Sequence, residues 1–169
     1  NRLNQDYENL HQICALFLEG IAPAELGGQQ LLPAFLVNMA ELFERFIFCW
    51  LDHALSAPFQ LNAQESVYLD DFGRHRFELD LVLRRHGQIR AVLDTKYKRP
   101  AGGPSTADIA QVVAYAQAIG SPVAYLVYPT PLPQPLATTI GSVQLKTLHF
   151  DLEQPINVAA SQFLQQLDE

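Results

Sequence analysis

Between His75 and Lys98 the spacing of apolar side chains switches from every third or fourth residue to every second, which limits the possible folds more than any other feature of the chain. Phe77, Leu79, Leu81 and Leu83 fall on one face of an extended strand, with Glu78, Asp80, Val82 and Arg84 on the other. After the turn residues His86, Gly87 and Gln88, a second strand sets Ile89, Ala91, Leu93 and Thr95 on one face and Arg90, Val92, Asp94 and Lys96 on the other. Two such strands joined by a short turn predict an antiparallel hairpin. A loop of about three residues at His86 to Gln88 places Asp80 opposite Asp94, and the two carboxylates share a face only if the paired positions sum to an even number, as they do in that register.

The flanks supply helices. Leu10, Ile13, Cys14 and Phe17 follow helical spacing and predict a helix over Tyr7 to Leu18. Asn38 with Glu41 three residues later forms a capping-box pattern, with Val37 and Leu42 as its hydrophobic staple, and starts a helix running from Met39 to about Leu55. Its packing face is Leu42, Phe43, Phe46, Ile47, Trp50 and Leu51. Ser105 or Thr106 can cap a further helix that stops at Gly120, with Ile109, Val112, Val113 and Ala116 inward. Val123 to Tyr128 reads as a buried central strand, Val143 to Phe150 as another strand, and Asn157 as the cap of a closing helix to about Leu167. The order of elements predicts an α/β fold, a mixed β-sheet flanked by α-helices.

The chain has 169 residues and 49% apolar content, enough for the core of one ordinary domain. It begins at Asn1, which we read as a piece of a longer chain. No apolar run is long enough to cross a membrane and the first residues are too polar for a signal peptide, so a cytoplasmic location is expected. Cys14 and Cys49 lie in helical apolar stretches without zinc spacing and are expected to be reduced core thiols.

A net charge of -7 argues against nucleic acid at first sight. The distribution changes that reading. Eight of the eleven basic residues lie between positions 74 and 99 with only Glu78, Asp80 and Asp94, so that segment is +5 and the remainder -12. Arg84, Arg85 and Lys98 are candidate DNA contacts within it, and reversing Arg84 and Arg85 to glutamate is expected to weaken a salt-dependent affinity. A solvated hairpin is the competing reading.

The chemistry rests on Asp80 and on Asp94-Thr95-Lys96. Phosphodiester hydrolysis needs a cation that neutralises the phosphate and activates a water. Mg²⁺ takes a few carboxylate oxygens and keeps several waters. Two aspartates on adjacent strands can supply those oxygens, and a lysine two residues after the second lies on the same face, about 7 Å along, where it can orient the water or stabilise the developing oxyanion. A surface ion pair between Asp94 and Lys96 is the plainer alternative. Against it, both aspartates sit in apolar strands where an unpaired carboxylate is costly. Gln111 and Tyr115 form a polar i, i+4 pair on an apolar helix. The five histidines have no metal-ligand spacing, and there is no serine elbow, Walker A loop or cysteine–histidine pair.

In that order and spacing, the motifs resemble the nuclease domain of the McrC family. Asn38 to Ile47 is similar to the helix opening that domain, Leu93-Asp94-Thr95-Lys96-Tyr97-Lys98 to its PD-(D/E)XK core, Gln111 to Ala116 to a QxxxY helix shared with RecB-like nucleases, and Leu126 to Pro129 to the following strand. Leu79 stands where the motif has proline. The resemblance implies a restriction-endonuclease-like fold over residues 1–169, with an N-terminal helical flank at 1–37, a nuclease core at 38–129 and a C-terminal strand and helix at 130–169. It implies a Mg²⁺-dependent endodeoxyribonuclease (Mn²⁺ substituting) that acts on double-stranded DNA with a GTP-hydrolysing McrB-like motor. Asp80 and Asp94 would bind the metal, Glu44 rather than Glu41 would stand in its outer shell, and Lys96 would serve the nucleophile. Gln111 and Tyr115 would support the site or touch DNA. The alternative is a nuclease-fold scaffold without chemistry.

Overall fold

A computed structural model describes residues 37–70 and 72–168, which, Val37 apart, fall in the second of two units of the chain, Asn38–Glu169. The helix expected over Tyr7 to Leu18, with Cys14, lies outside the described residues. The second unit carries the fold.

Helix α1 (Met39–Ala54) starts where Asn38 accepts hydrogen bonds from the backbone N of Ala40 and Glu41. Phe43, Ile47 and Leu51 are buried at i, i+4 and i+8, and Trp50 packs edge-on against Phe150 and Phe163. Two expectations fail here. Leu42 is 49% exposed rather than packed, and Cys49 is an exposed thiol rather than a core one. Cys49 lies two residues from both Ile47 and Leu51, about 200° round the helix from the buried stripe.

Six strands, β1 (Phe59–Tyr68), β2 (Arg76–Arg85), β3 (Gln88–Thr95), β4 (Val123–Tyr128), β5 (Ala137–Ile140) and β6 (Val143–His149), form one sheet in the order β1-β2-β3-β4-β6-β5. β1, β2 and β3 pair antiparallel, β3, β4 and β6 parallel, and β5 closes the far edge antiparallel to β6. The expected mixed sheet flanked by helices is therefore present. Helix α2 (Thr106–Ala118) makes the crossover from β3 to β4. Its Val112, Val113 and Ala116 pack on Val82, Val92, Ala124 and Leu126 on one face of the sheet. α1 and the last helix, α3 (Ile156–Asp168), cover Leu81, Leu83, Leu93, Tyr125 and Val127 on the other. Asn157 is not the cap of α3. It lies inside the helix, whose first bonds run from Val158 and Ala159 back to the Pro155 carbonyl.

The hairpin reaches the expected register by another route. Its loop is two residues, His86 and Gly87, between the paired Arg85 and Gln88, with φ of 51° and 76°, the backbone that matches the twist of a hairpin. That loop alone would set Asp80 against Leu93. A bulge corrects it: Arg84 pairs with Ile89 but Leu83 with Ala91, so Arg90 is an extra residue and the ladder continues through Val82–Val92 and Leu81–Leu93 toward Asp80 and Asp94. Gly87→Ala should lower stability by roughly 1–2 kcal/mol through its left-handed backbone, read as a shifted urea midpoint with an unchanged slope.

The apolar face of β2 is not continuous as its period-two pattern predicts. Leu79, with Phe77, joins the α2 side, whereas Leu81 and Leu83 join the α1 side. The change falls at Asp80, facing Gln64 of β1. Gln64 has φ of 51°, and the ladder skips from Ala63–Leu81 to Glu65–Leu79. The break turns the strand where the candidate site begins.

Candidate active site

The β2–β3 ladder ends at Leu81–Leu93, and a side chain takes over from the backbone there. Asp80 Oδ2 accepts from Thr95 N at 2.7 Å and from Thr95 Oγ1 at 2.9 Å. Asp80 thus clamps the end of β3 and still has Oδ1 free of hydrogen bonds among the described residues. Asp94 precedes Thr95 at the C-terminal ends of the parallel strands, where open α/β sheets bind ligands. It is 1% exposed.

Lys96 Nζ lies 2.6 Å from Asp94 Oδ2, yet the contact falls outside hydrogen-bond geometry, and neither oxygen of Asp94 has a hydrogen-bond partner among the described residues. Burial, and then the charge of Asp80, push the Asp94 carboxyl up to about 6 in spite of Lys96. A lysine that balanced the burial would hold that value down, so the ion pair under-compensates Asp94. Burial also opposes the charge of Lys96, but Asp94, Asp80 and Asp108 outweigh it and raise its pKa. Lys96 Nζ also donates to Gln111 Oε1 at 3.1 Å, and Gln111 Nε2 donates to Tyr115 Oη at 2.7 Å. The helical polar pair therefore orients the lysine.

Glu44 lines a small cavity with Gln64, Glu78, Leu79 and Asp80. Burial, and then Asp80, raise its pKa. Asp80 acts on both other acids, its charge adding to burial in raising the pKa of Glu44 and of Asp94. The three do not close into one cage: among the described residues no group of three or more His, Cys, Asp or Glu is arranged to hold a metal. A site of one or two carboxylates still suits Mg²⁺, which completes its shell with water and phosphate oxygens. Oδ1 of Asp80 and Oδ1 of Asp94, unpartnered among the described residues, are hard donors of that kind.

The basic residues are mostly spent on acids. Arg84 makes a bidentate pair with Glu65 at 2.8 Å, and Lys98 Nζ meets Asp108 Oδ2 at 2.5 Å. Arg74, Arg76 and Arg99 lie against Asp70, Glu78 and Glu153. Arg85 stacks over Phe59 and lines a cleft with Arg90, five residues and so roughly 17 Å along the strand from Asp80. Arg84 and Arg85 thus stand at the opposite end of the hairpin from the carboxylates.

Two residues that sequence reasoning passed over lie beside the site. Asp108, 7% exposed, accepts from Ser105 Oγ and Lys98. Those donors overcome burial and lower its pKa. The Ser105-x-x-Asp108 spacing of a capping box was its available signal. Tyr128 is fully buried and nothing in its apolar strand marks it.

A family model described as the McrBC 5-methylcytosine restriction system component matches residues 1–129. The chain belongs to this family. A solved structure, the half-complex from a tetradecameric assembly of Thermococcus gammatolerans McrB AAA+ hexamers with bound McrC, contains a similar chain with TM-score 0.69 and 20% identity, aligned over 99% of the present one. The McrBC-family chain spans 39% of that solved chain, and at this identity the likeness carries the fold. No curated protein matches it. No helix among its described residues is long and apolar enough to cross a membrane.

Proposed function

We propose that this chain is the Mg²⁺-dependent DNA-cleaving module of a McrC-like restriction subunit, with the PD-(D/E)XK chemistry of Asp80, Asp94 and Lys96. The observation that carries the reading is Asp94: a carboxylate 1% exposed, with Oδ1 unpartnered among the described residues and Oδ2 met by the Lys96 ammonium, beside a second carboxylate at the C-terminal edge of the sheet. Mg²⁺, or Mn²⁺ in its place, would be held by Asp80 and Asp94 and would supply phosphate neutralisation and a more acidic water. Thr95 fixes Asp80 through two hydrogen bonds. Gln111 and Tyr115 hold the Lys96 ammonium at the site, where it orients the attacking water or stabilises the phosphorane oxygens. Glu44 tunes the charge on the Asp80 side.

The partner of this reading is a GTP-driven McrB-type motor in the cytoplasm, in line with the McrB hexamers that accompany McrC in the Thermococcus assembly. Double-stranded DNA is the substrate. Because most of the basic stripe is paired with acids, affinity of this chain alone for DNA should be weak and fall with salt. A scaffold without chemistry is the second reading, favoured by that pairing and by the absence of a three-ligand cluster among the described residues. Plasmid nicking in Mg²⁺ and in EDTA, with and without the motor, separates the two. Cleavage that needs the cation supports the nuclease, and intact plasmid with motor and Mg²⁺ present leaves the scaffold.

A further inference from the structure

The hydroxyl of Tyr128 is buried without a hydrogen-bond partner among the described residues, as are both oxygens of Asp94. These atoms belong to one place in the fold. β3 and β4 run parallel with Asp94 opposite Leu126 and Thr95 opposite Val127, and Lys96 N bonds the Val127 carbonyl. Tyr128, two residues beyond Leu126, shares its face of the sheet, and both pack with Val92 and Val112 under α2. Asp94 is two residues beyond Val92 on that same face. Burial, and then the nearby Asp108 and Asp94, raise the Tyr128 pKa, and a phenol hydroxyl is in any case a neutral donor at neutral pH.

Without a cation, Asp94 leans on the Lys96 ammonium. A divalent cation at Asp94 repels that ammonium and engages carboxylate oxygen, so an oxygen turned away from the cation is left buried and in need of a donor. On the α2 face the buried donor without a hydrogen-bond partner among the described residues is the Tyr128 hydroxyl. Resting on the cation site proposed above, we infer that Tyr128 is a positioning residue: its hydroxyl donates to the Asp94 carboxylate in the cation-bound state and holds it in the orientation that binds the metal.

Tyr128→Phe keeps the ring and removes the donor, and the test compares it with the parent in two measurements on the full chain. Thermal melting in EDTA should be unchanged or slightly higher in the variant, since the lost hydroxyl had no partner there. Mn²⁺ titration by calorimetry should show a dissociation constant weakened by about tenfold or more, the worth of one hydrogen bond to a charged acceptor. Equal Mn²⁺ affinities overturn the role of Tyr128 and leave the cation site standing. A clearly lower melting temperature in EDTA also overturns it, because the hydroxyl would then already have a structural partner. A parent that binds no Mn²⁺ removes the cation site itself, and this inference with it.

Discussion

Asp94→Asn is expected to reduce Mg²⁺-dependent cleavage by about a thousandfold or more, because it removes one of the two negative charges that would hold the proposed cation, which would supply several kcal/mol of transition-state stabilisation. The same change should make the metal-free protein more stable at neutral pH. The sign follows from the carboxyl of Asp94, pushed by burial and by Asp80 from 3.8 up to about 6. A group whose folded-state pKa is raised favours the folded state at low pH, and that contribution is lost as pH rises through 3.8 to about 6. At pH 7 the ionised, buried Asp94 therefore opposes folding by on the order of 2–3 kcal/mol. In EDTA the parent should gain stability on acidification from neutrality to about pH 4 through this group, and Asp94→Asn should lack that part of the slope. Urea melts across that range, set beside a nicking assay, check both halves. A structural ion pair gives the opposite result: Lys96, 17% exposed, would lose its partner, and stability would fall by ~3 kcal/mol or more.

Leu126→Ala should damage the fold as thoroughly as Asp94→Asn damages the site. Leu126 is 0% exposed in a strand flanked on both sides by parallel neighbours and packs under α2. Truncation there should cost about 2–5 kcal/mol, the transfer of the lost side chain plus the cavity left behind. That is a large share of the stability of a single domain. The loss should appear in EDTA and in Mg²⁺ alike, as an earlier urea midpoint. At low temperature, where the variant is still folded, cleavage per folded molecule should match the parent. A loss below 1 kcal/mol would mean that β4 is not the packed centre of the sheet.

What could be read beforehand tracks how strongly each segment is buried. α1, β2, β3 and α2 have a periodic apolar face and were legible from that period, and β4 was legible from its nearly unbroken apolar run. β1 and β5 were not. They are the two edges of the sheet, and an edge strand with a single packed neighbour needs little apolar alternation. β1 buries only Leu61 among its ten residues, and all four of β5 are exposed. The register of Asp80 and Asp94 was foreseeable from the need to put both on one face, whereas the means was not. The bulge at Arg90 and the break at Gln64 depend on backbone geometry that side-chain pattern does not encode. At the site, the Asp94–Lys96 spacing and the Gln111–Tyr115 pair were visible as polar intrusions into apolar elements. Their link through Lys96 became visible only with α2 laid across β3. The charge of the 74–99 segment was legible as a count and not as a surface, since counting residues does not show that Glu65, Asp108 and Glu153, outside the segment, come back to pair with it.

The cation site can be observed directly. Crystals of the protein soaked in Mn²⁺ at millimolar concentration, with diffraction recorded for anomalous scattering from the metal, should show a peak between Asp80 and Asp94, with Lys96 Nζ moved off Asp94 Oδ2. An ordered map with Asp94 still paired to Lys96 and no peak at these two carboxylates would contradict the assignment.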